Sequence, residues 1–445
     1  MGHAGKSESL DDCVGVVLAG GKGSRLFELT EDECKPAIPF AGSLRIIDFT
    51  LANAVNSGLK KVLVATQYLP ATLSSHLRGR WRVLFGRRGG TFDVLVAPAD
   101  ATGGTATVIG REIERIDALA ARHVLVAAGD HVYQMDYRDL LAEHLASGAD
   151  ATVATHIVDI DAAQQLGVAR VDRSGRVLAF AEKPEVPAQI PGEPAMSLAS
   201  MGIYLFDWPF LRQLLAEGTA QGMPFEDFGR DVLPAILERG HLQSHRYAPP
   251  KILGPDARPY WRDVGTLDAF HGAHLDLIAG AGPVATPDWP LHVGDLSRAI
   301  AEGSQPPPGC LDFGRYSVVE TLSGPQCVFG IGCQVQRCVL MEGAAVSSGA
   351  RIRGALIAPG TFIPPGLVVG EDPDEDARWF RRGEAGTVLV TRQMVARWTD
   401  GQRQLHQMPG RRLGTAPEPA ATARRERAAN RHNHLIFPHK PDVTS

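Results

Sequence analysis

At 445 residues the chain exceeds one ordinary core and should divide into two domains plus tails, and 44% apolar residues suffice to bury both. A formal charge of -5 gives no bulk reason to expect nucleic acid or an anionic membrane as partner, which leaves a small ligand as the expected class. The N-terminus MGHAGKSESLDD has no basic segment leading into an apolar stretch, and no run of about 18 apolar residues occurs. Secretion and membrane insertion are therefore not expected, and the chain reads as cytoplasmic. The six cysteines, Cys13, Cys34, Cys310, Cys327, Cys333 and Cys338, contain no CxxC pair and read as reduced core thiols.

From Val14, short β-branched runs alternate with helix-like segments. VGVVL (14–18) precedes a helical pattern over 45–58, KVLVAT (61–66) follows, and a second helical pattern over 105–119 precedes HVLVAAGD (123–130). This alternation predicts a mostly parallel α/β sheet, whose ligands sit at the carboxyl ends of the strands. The loops after Leu18, Thr66 and Ala128 are thus the ones expected to carry a site. EGSQPPPG (302–309) has linker composition. Beyond it, apolar positions recur every six residues at Cys327, Cys333, Val339 and Ala345, and again at Ile357, Ile363 and Val369, while Val346 and Ile352 imply a one-residue slip between the sets. That pattern predicts parallel β-helix coils, with a β-sandwich as the alternative. From about Gly410 the composition predicts disorder. The expected division is an N-terminal tail over 1–12, an α/β domain over 13–290, a linker over 291–320, a β-helix over 321–400 and a disordered tail over 401–445.

The first strand runs into AGGKGSRL, Ala19 to Leu26, a glycine-rich turn that lets backbone N–H groups approach phosphate oxygens. A Rossmann fingerprint would need a third glycine where Leu26 stands, and the P-loop pattern is absent. Arg25 in this turn and Lys35 in KPA are two cations aimed at the same strand end; transfer of a nucleotidyl group spreads negative charge that such cations stabilise. Either one alone would read as a surface charge. AGDH and YWRDVGT each present one carboxylate, Asp130 and Asp263, and a pair of carboxylates with substrate phosphates is a common Mg2+ arrangement. His131 beside them reads as a hydrogen-bonded loop residue. FAEKP offers Glu182 and Lys183, suited to sugar hydroxyls and a phosphate, and SMGIYLF adds Ser200 and Gly202. Taken singly, each of these also fits an ion pair or a turn.

In order, AGGKGSRL, ECKPAIPF, RIIDF, TQY, AGDHVY, FAEKP, SMGIYLF, DFGRDVLP, YWRDVGT and EDARWF make the chain resemble the bacterial glucose-1-phosphate adenylyltransferase (ADP-glucose pyrophosphorylase) family from Cys13 to about Trp398. YWRDVGT and SMGIYLF favour it over uridylyl-, thymidylyl- and guanylyl-transferring relatives. The resemblance implies a GT-A-like nucleotidyltransferase domain, a C-terminal left-handed parallel β-helix and a homotetramer, or a hetero-oligomer with a paralogue. It implies ATP and glucose 1-phosphate as substrates, Mg2+ as cofactor, and the committed step of glycogen synthesis. By the same resemblance, Arg25, Lys35 and Asp130 are catalytic, Asp130 and Asp263 are metal ligands, and Leu18, Ala19, Gly20, Gly21, Gly23, Ser24, Gln67, Gly104 and Thr105 bind the nucleotide. Gly167, Glu182, Lys183, Ser200 and Gly202 would hold the sugar phosphate.

Departures from the family pattern bear on activity. Where PAQQ and WYRGTADA are usual, the shorter PADATGGTATV (98–108) lacks the base-reading glutamine, places Gly103 for an arginine and Thr107 for an aspartate. A lost amide weakens base selectivity. Asp32 and Glu33 replace basic residues expected before KPA, and carboxylates repel a phosphorylated effector. Arg45 with Arg378, Arg381 and Arg382 could form an effector site or be surface charges. Besides an active adenylyltransferase, the altered loop admits a non-catalytic regulatory subunit or a pyrophosphorylase for another nucleotide.

Overall fold

The run Cys13–Leu18 lies in the middle of a nine-stranded sheet, and its residues are almost all buried because helices cover both faces. The structure is a computed structural model that describes residues 9–21, 23–66, 71–97, 103–283, 286–292 and 316–407. In spatial order the sheet runs Val177–Glu182, Gly167–Val171, Met196–Asp207, His123–Ala128, Cys13–Leu18, Lys61–Thr66 and Thr91–Val96; Ala151–Asp159 pairs with Met196–Asp207 and carries Leu242–Arg246 on its other side. The four strands from His123–Ala128 to Thr91–Val96 are parallel, as the β-branched runs and intervening helices predict. Met196–Asp207 then adds in the antiparallel sense, and it changes register between Ser200 and Tyr204, around Gly202 at φ +66.

The helix expected over 45–58 spans Ile47–Asn56. The one expected over 105–119 is two helices, Thr105–Arg111 and Ile113–Ala118, parted at Glu112, whose φ of -105 and ψ of 14 leave helical geometry. Leu18 pairs with both Ala65 and Ala128, so the loops after the three central strands open side by side at one edge.

The C-terminal coils form three short sheets, parallel except where Arg381–Arg382 adds antiparallel to Val388–Val390, and these are the faces of a parallel β-helix of the left-handed hexapeptide type the resemblance implies. Val318, Val335, Ile352 and Val369 stack in register, each offset from the last by 17 residues, one short of three hexapeptides. The slip therefore recurs once per coil instead of once between two sets. In the last coil a loop carrying the helix Pro373–Trp379 intervenes before Val388–Val390 pairs with Ala355–Ile357. The first coil begins at Ser317, within the stretch expected to be linker, and the helix Arg392–Gln407 enters the stretch expected to be tail. EGSQPPPG (302–309) and the chain beyond 407 lie outside the described residues, as does Cys310. The other five cysteines are buried and in no disulfide.

The β-helix buries an interior of its own, around Cys333, Val335, Ile352 and Val369, but it also shares a core with the α/β domain. Val17 and Leu125 of the sheet, Phe49 and Phe270 of its covering helices, and Leu322, Leu356 and Leu389 of the β-helix belong to one apolar cluster. The helix Leu267–Ile278 is the strut between them. Its Asp268 carboxylate accepts from the backbone N–H groups of Ala385 (3.0 Å) and Thr387 (3.1 Å), and His271 Nε2 donates to the Arg337 carbonyl at 2.8 Å. Among the described residues no helix is long and apolar enough to cross a membrane.

Candidate active site

The glycine turn after Leu18 is held from both sides: Ala19 N–H donates to the Ala65 carbonyl at 2.7 Å, and Gly129 N–H donates to the Leu18 carbonyl at 2.9 Å. Gly23 takes φ +64, and a Cβ there would come 2.9 Å from Lys35 Cβ. Glycine is thus required for the turn to close over Lys35. Lys35 N–H also bonds the Gly21 carbonyl, so the turn and the KPA segment form one piece.

The strand His131–Tyr133 pairs antiparallel with Trp261–Asp263, and His131 faces Asp263 across that pair. Asp130, next in the chain, is thereby brought beside Asp263. Between them lies the Lys35 ammonium, 2.9 Å from Asp130 Oδ2 and 2.5 Å from Asp263 Oδ1, with its side chain only 5% exposed. Arg25, largely exposed, reaches within 3.9 Å of Asp263 Oδ2. Burial would push the Asp130 carboxyl up, but the Lys35 ammonium, aided by His131, outweighs it and holds the group at about 2. Burial would likewise lower the Lys35 pKa; Asp130 and Asp263 instead raise it above its ordinary value. The Lys35 ammonium and the exposed Arg25 guanidinium thus both face this pair of carboxylates. Ligand atoms of Asp130, His131 and Asp263 lie within 4.8 Å of one another, and the carboxylate oxygens are the hard donors that Mg2+ takes. His131 Nδ1 is engaged with the Met201 carbonyl at 3.1 Å.

Beside these acids opens a cleft of about 460 Å³. Of the residues expected from the sequence, Leu18, Gly20, Gly21, Gly104, Thr105, Asp130, Glu182 and Gly202 line it. Ala19, Gly23, Ser24, Arg25, Lys35, Gly167, Lys183, Ser200 and Asp263 are not in its wall, and Gln67 and Pro98 to Thr102 lie outside the described residues; Lys35 reaches the cleft through its contact with Asp130, and Asp263 through Lys35. Gly167 sits directly behind Glu182, where a Cβ would come 2.8 Å from Glu182 Oε2. Lys183 is exposed and takes φ +51, and the buried Ser200 hydroxyl accepts from Gly202 N–H at 3.2 Å. Burial, and then the negative charge of Asp227, push the Glu182 carboxyl above its ordinary range.

Residue-level reading of the sequence missed Asp227, Phe228 and Gly229, which line the cleft together with Tyr204. The signal was the DFGRDVLP segment, whose aspartate reads as a helix cap. It is one: Asp227 Oδ1 accepts from Gly229 and Arg230 N–H groups.

The arginines considered for an effector each have their own partner. Arg381 pairs with Glu28 at 2.7 Å and stacks over Phe27, Arg378 pairs with Glu375, and Arg382 donates to the Pro373 carbonyl. Arg45 donates to the Ala37 carbonyl and lies 4.0 Å from Glu33.

A family model described as nucleotidyl transferase matches residues 14–280, and one described as GlmU-like, C-terminal hexapeptide matches residues 298–390. The glucose-1-phosphate adenylyltransferase of Jannaschia sp. (strain CCS1) is 38% identical over 417 residues, covering 87% of this chain and 97% of that one. Proteins of the same name from Novosphingobium aromaticivorans and Bradyrhizobium diazoefficiens are each 38% identical, over 86% and 89% of this chain and 96% and 99% of theirs. Aligned along nearly the whole length of such relatives, and presenting paired acids and a glycine turn at one sheet edge, the chain belongs to the glucose-1-phosphate adenylyltransferase family of nucleotidyl transferases.

Proposed function

We propose that the chain joins ATP and α-D-glucose 1-phosphate to give ADP-glucose and diphosphate, a step that feeds glycogen synthesis. The observation that carries this reading is the Lys35 ammonium held between Asp263 and Asp130, the latter in the lining of the cleft. The glycine turn offers backbone N–H groups to the triphosphate, and Arg25 and Lys35 supply positive charge where negative charge develops on the α-phosphate and the leaving diphosphate. Asp130 and Asp263 would hold Mg2+, which when bound neutralises triphosphate charge. Glu182 in the cleft accepts hydrogen bonds from sugar hydroxyls, Gly202 in its lining approaches the sugar phosphate, and Lys183 and Ser200, beside these two in the chain, serve that phosphate as well. A glucose 1-phosphate oxygen attacks the α-phosphorus in line and diphosphate leaves, so the protein contributes positioning and electrostatics without a covalent intermediate.

A cytoplasmic location belongs to this reading, as does assembly into a homotetramer or a hetero-oligomer with a paralogue. Val328 and Phe362, both more than half exposed on either side of Ala345 in one β-helix sheet, offer an apolar face for such contacts. Allosteric control by a sugar bisphosphate finds little support, since Asp32 and Glu33 stand before Lys35 and the candidate arginines are engaged elsewhere. A non-catalytic regulatory subunit is the competing reading, motivated by the altered 98–108 segment; the intact Lys35, Asp130 and Asp263 set favours turnover. Purified protein given Mg2+, glucose 1-phosphate and each common nucleoside triphosphate in turn should release diphosphate fastest with ATP. Release only after co-expression with a paralogue would establish the competing reading, and a preference for another base would reassign the nucleotide.

A further inference from the structure

The helix Thr105–Arg111 does not merely follow the nucleotide side of the cleft. Its first turn is bonded to the segment that brings Asp227, Phe228 and Gly229 into the lining. Ala106 N–H donates to the Glu226 carbonyl at 2.8 Å, and Thr107 Oγ1 donates to the Phe225 carbonyl at 3.2 Å. Thr105 Oγ1 lies 3.5 Å from Asp227 Oδ2. The far segment is itself stiff, because Asp231 Oδ2 accepts from the N–H groups of Glu226 and Asp227, while Asp227 caps the turn that follows it.

The two glycines before this helix are shaped to the same contact. Gly103 takes φ +119, and a Cβ there would come 2.5 Å from Thr107 Oγ1. At Gly104 a Cβ would come 2.5 Å from the Glu226 carbonyl oxygen. Neither position admits a side chain while the helix stays docked. Gly103 and Thr107 stand where an arginine and an aspartate are usual in the resembling family, so the two departures are mutually fitted: the missing side chain at 103 makes the room that the hydroxyl at 107 fills. A carboxylate at 107 would have no proton to donate to the Phe225 carbonyl.

We propose that Thr107 is a positioning residue that ties the nucleotide-side wall of the cleft, Gly103 to Thr105, to the sugar-side wall, Asp227 to Gly229. It touches neither substrate. Its hydroxyl fixes where Asp227 and Gly229 stand relative to Glu182, and the altered segment is a rewired wall, not a decayed one. The substrate assignment within this inference rests on the adenylyltransferase reading above.

The test is steady-state kinetics on the full chain for wild type, Thr107→Val, Thr107→Ser and Thr107→Asp, with amide hydrogen exchange over 225–232 on the same samples. Thr107→Val should raise the KM for glucose 1-phosphate about three- to tenfold, the loss expected for one neutral hydrogen bond, while kcat and the KM for ATP change by less than about twofold. Thr107→Ser should behave as wild type, and Thr107→Asp should exceed the Thr107→Val effect. Exchange over 225–232 should quicken in Thr107→Val and Thr107→Asp but not in Thr107→Ser. An unchanged KM with unchanged exchange in Thr107→Val overturns the inference, as does Thr107→Ser failing while Thr107→Val behaves as wild type, which would mean that the methyl group packs. Should wild type release no diphosphate, the functional reading fails on its own, and the exchange pattern still decides whether Thr107 ties the walls.

Discussion

Lys35 Nζ lies 2.5 Å from Asp263 Oδ1 although 228 positions separate the two residues in the chain. The contact is a product of strand pairing, since Asp263 faces His131 and Asp130 precedes it. Three segments distant in sequence thus deliver an ammonium and two carboxylates to one strand end, and the functional account depends on that meeting.

Replacing Lys35 with Met leaves Asp130 and Asp263 facing each other without their shared cation. The turnover number for diphosphate release should fall by about 10²–10³. The Asp130 carboxyl should also climb from about 2, because the charge that offsets its burial is gone. Carbon-13 titration of the aspartate side chains reads this second effect directly, and a group still near its starting value would acquit Lys35 of holding it down.

His274 makes the fold acid-sensitive. Fully buried, it accepts from Ala41 N–H at Nε2 (3.1 Å) and donates from Nδ1 to the Phe270 carbonyl (2.8 Å), a pairing that requires the neutral ring. Burial pushes its pKa down from 6.5 to about 3. Between those values the unfolded chain binds the proton and the folded chain does not, so this contribution to stability is complete above pH 6.5 and declines as pH falls through the window. The slope from this one group is at most about 1.4 kcal/mol per pH unit. Urea unfolding followed from about pH 7.5 to about pH 5 should show the decline, and His274→Gln should flatten it; identical pH slopes in the two proteins would exclude His274 as a source.

Asp268 links the α/β domain to the β-helix through two backbone N–H groups. Asp268→Ala should cost about 1–3 kcal/mol of stability by leaving those donors short of an acceptor. Because its helix begins just after Asp263, exchange at Asp263 and Val264 should quicken as well. A lowered melting temperature with unchanged exchange there would confine the role of Asp268 to cohesion.

Thr361 offers a test of opposite sign. The residue is fully buried, and among the described residues its hydroxyl has no hydrogen-bond partner. An unpaired buried hydroxyl is unfavourable by about 1–3 kcal/mol, so Thr361→Val should leave the protein more stable by about 1 kcal/mol in chemical denaturation. A clear loss of stability would reveal a bonded hydroxyl.

How much of this was legible depends on how local each signal is. The strand ends after Leu18 and Ala128 follow from β-branched runs alone, because a strand buried on both faces writes its burial into consecutive residues. Asp263 sits on a three-residue strand whose partner lies far away in sequence, so only the YWRDVGT motif pointed to it. Asp227 was hidden by its second role as a cap. The 17-residue coil showed itself as a single slip because the drift is one residue per turn of the β-helix. The shared core was invisible, since a linker-like composition says nothing about whether the flanking domains pack together.

The central claim is that Lys35, Asp130 and Asp263 act as one centre for adenylyl transfer. It is tested most directly by diphosphate release from ATP and glucose 1-phosphate with Mg2+, comparing wild type with Asp130→Asn and Asp263→Asn at matched folded concentration. The account predicts measurable turnover in wild type and a loss of at least about 10²-fold in each variant. Turnover in either variant close to that of wild type would contradict it.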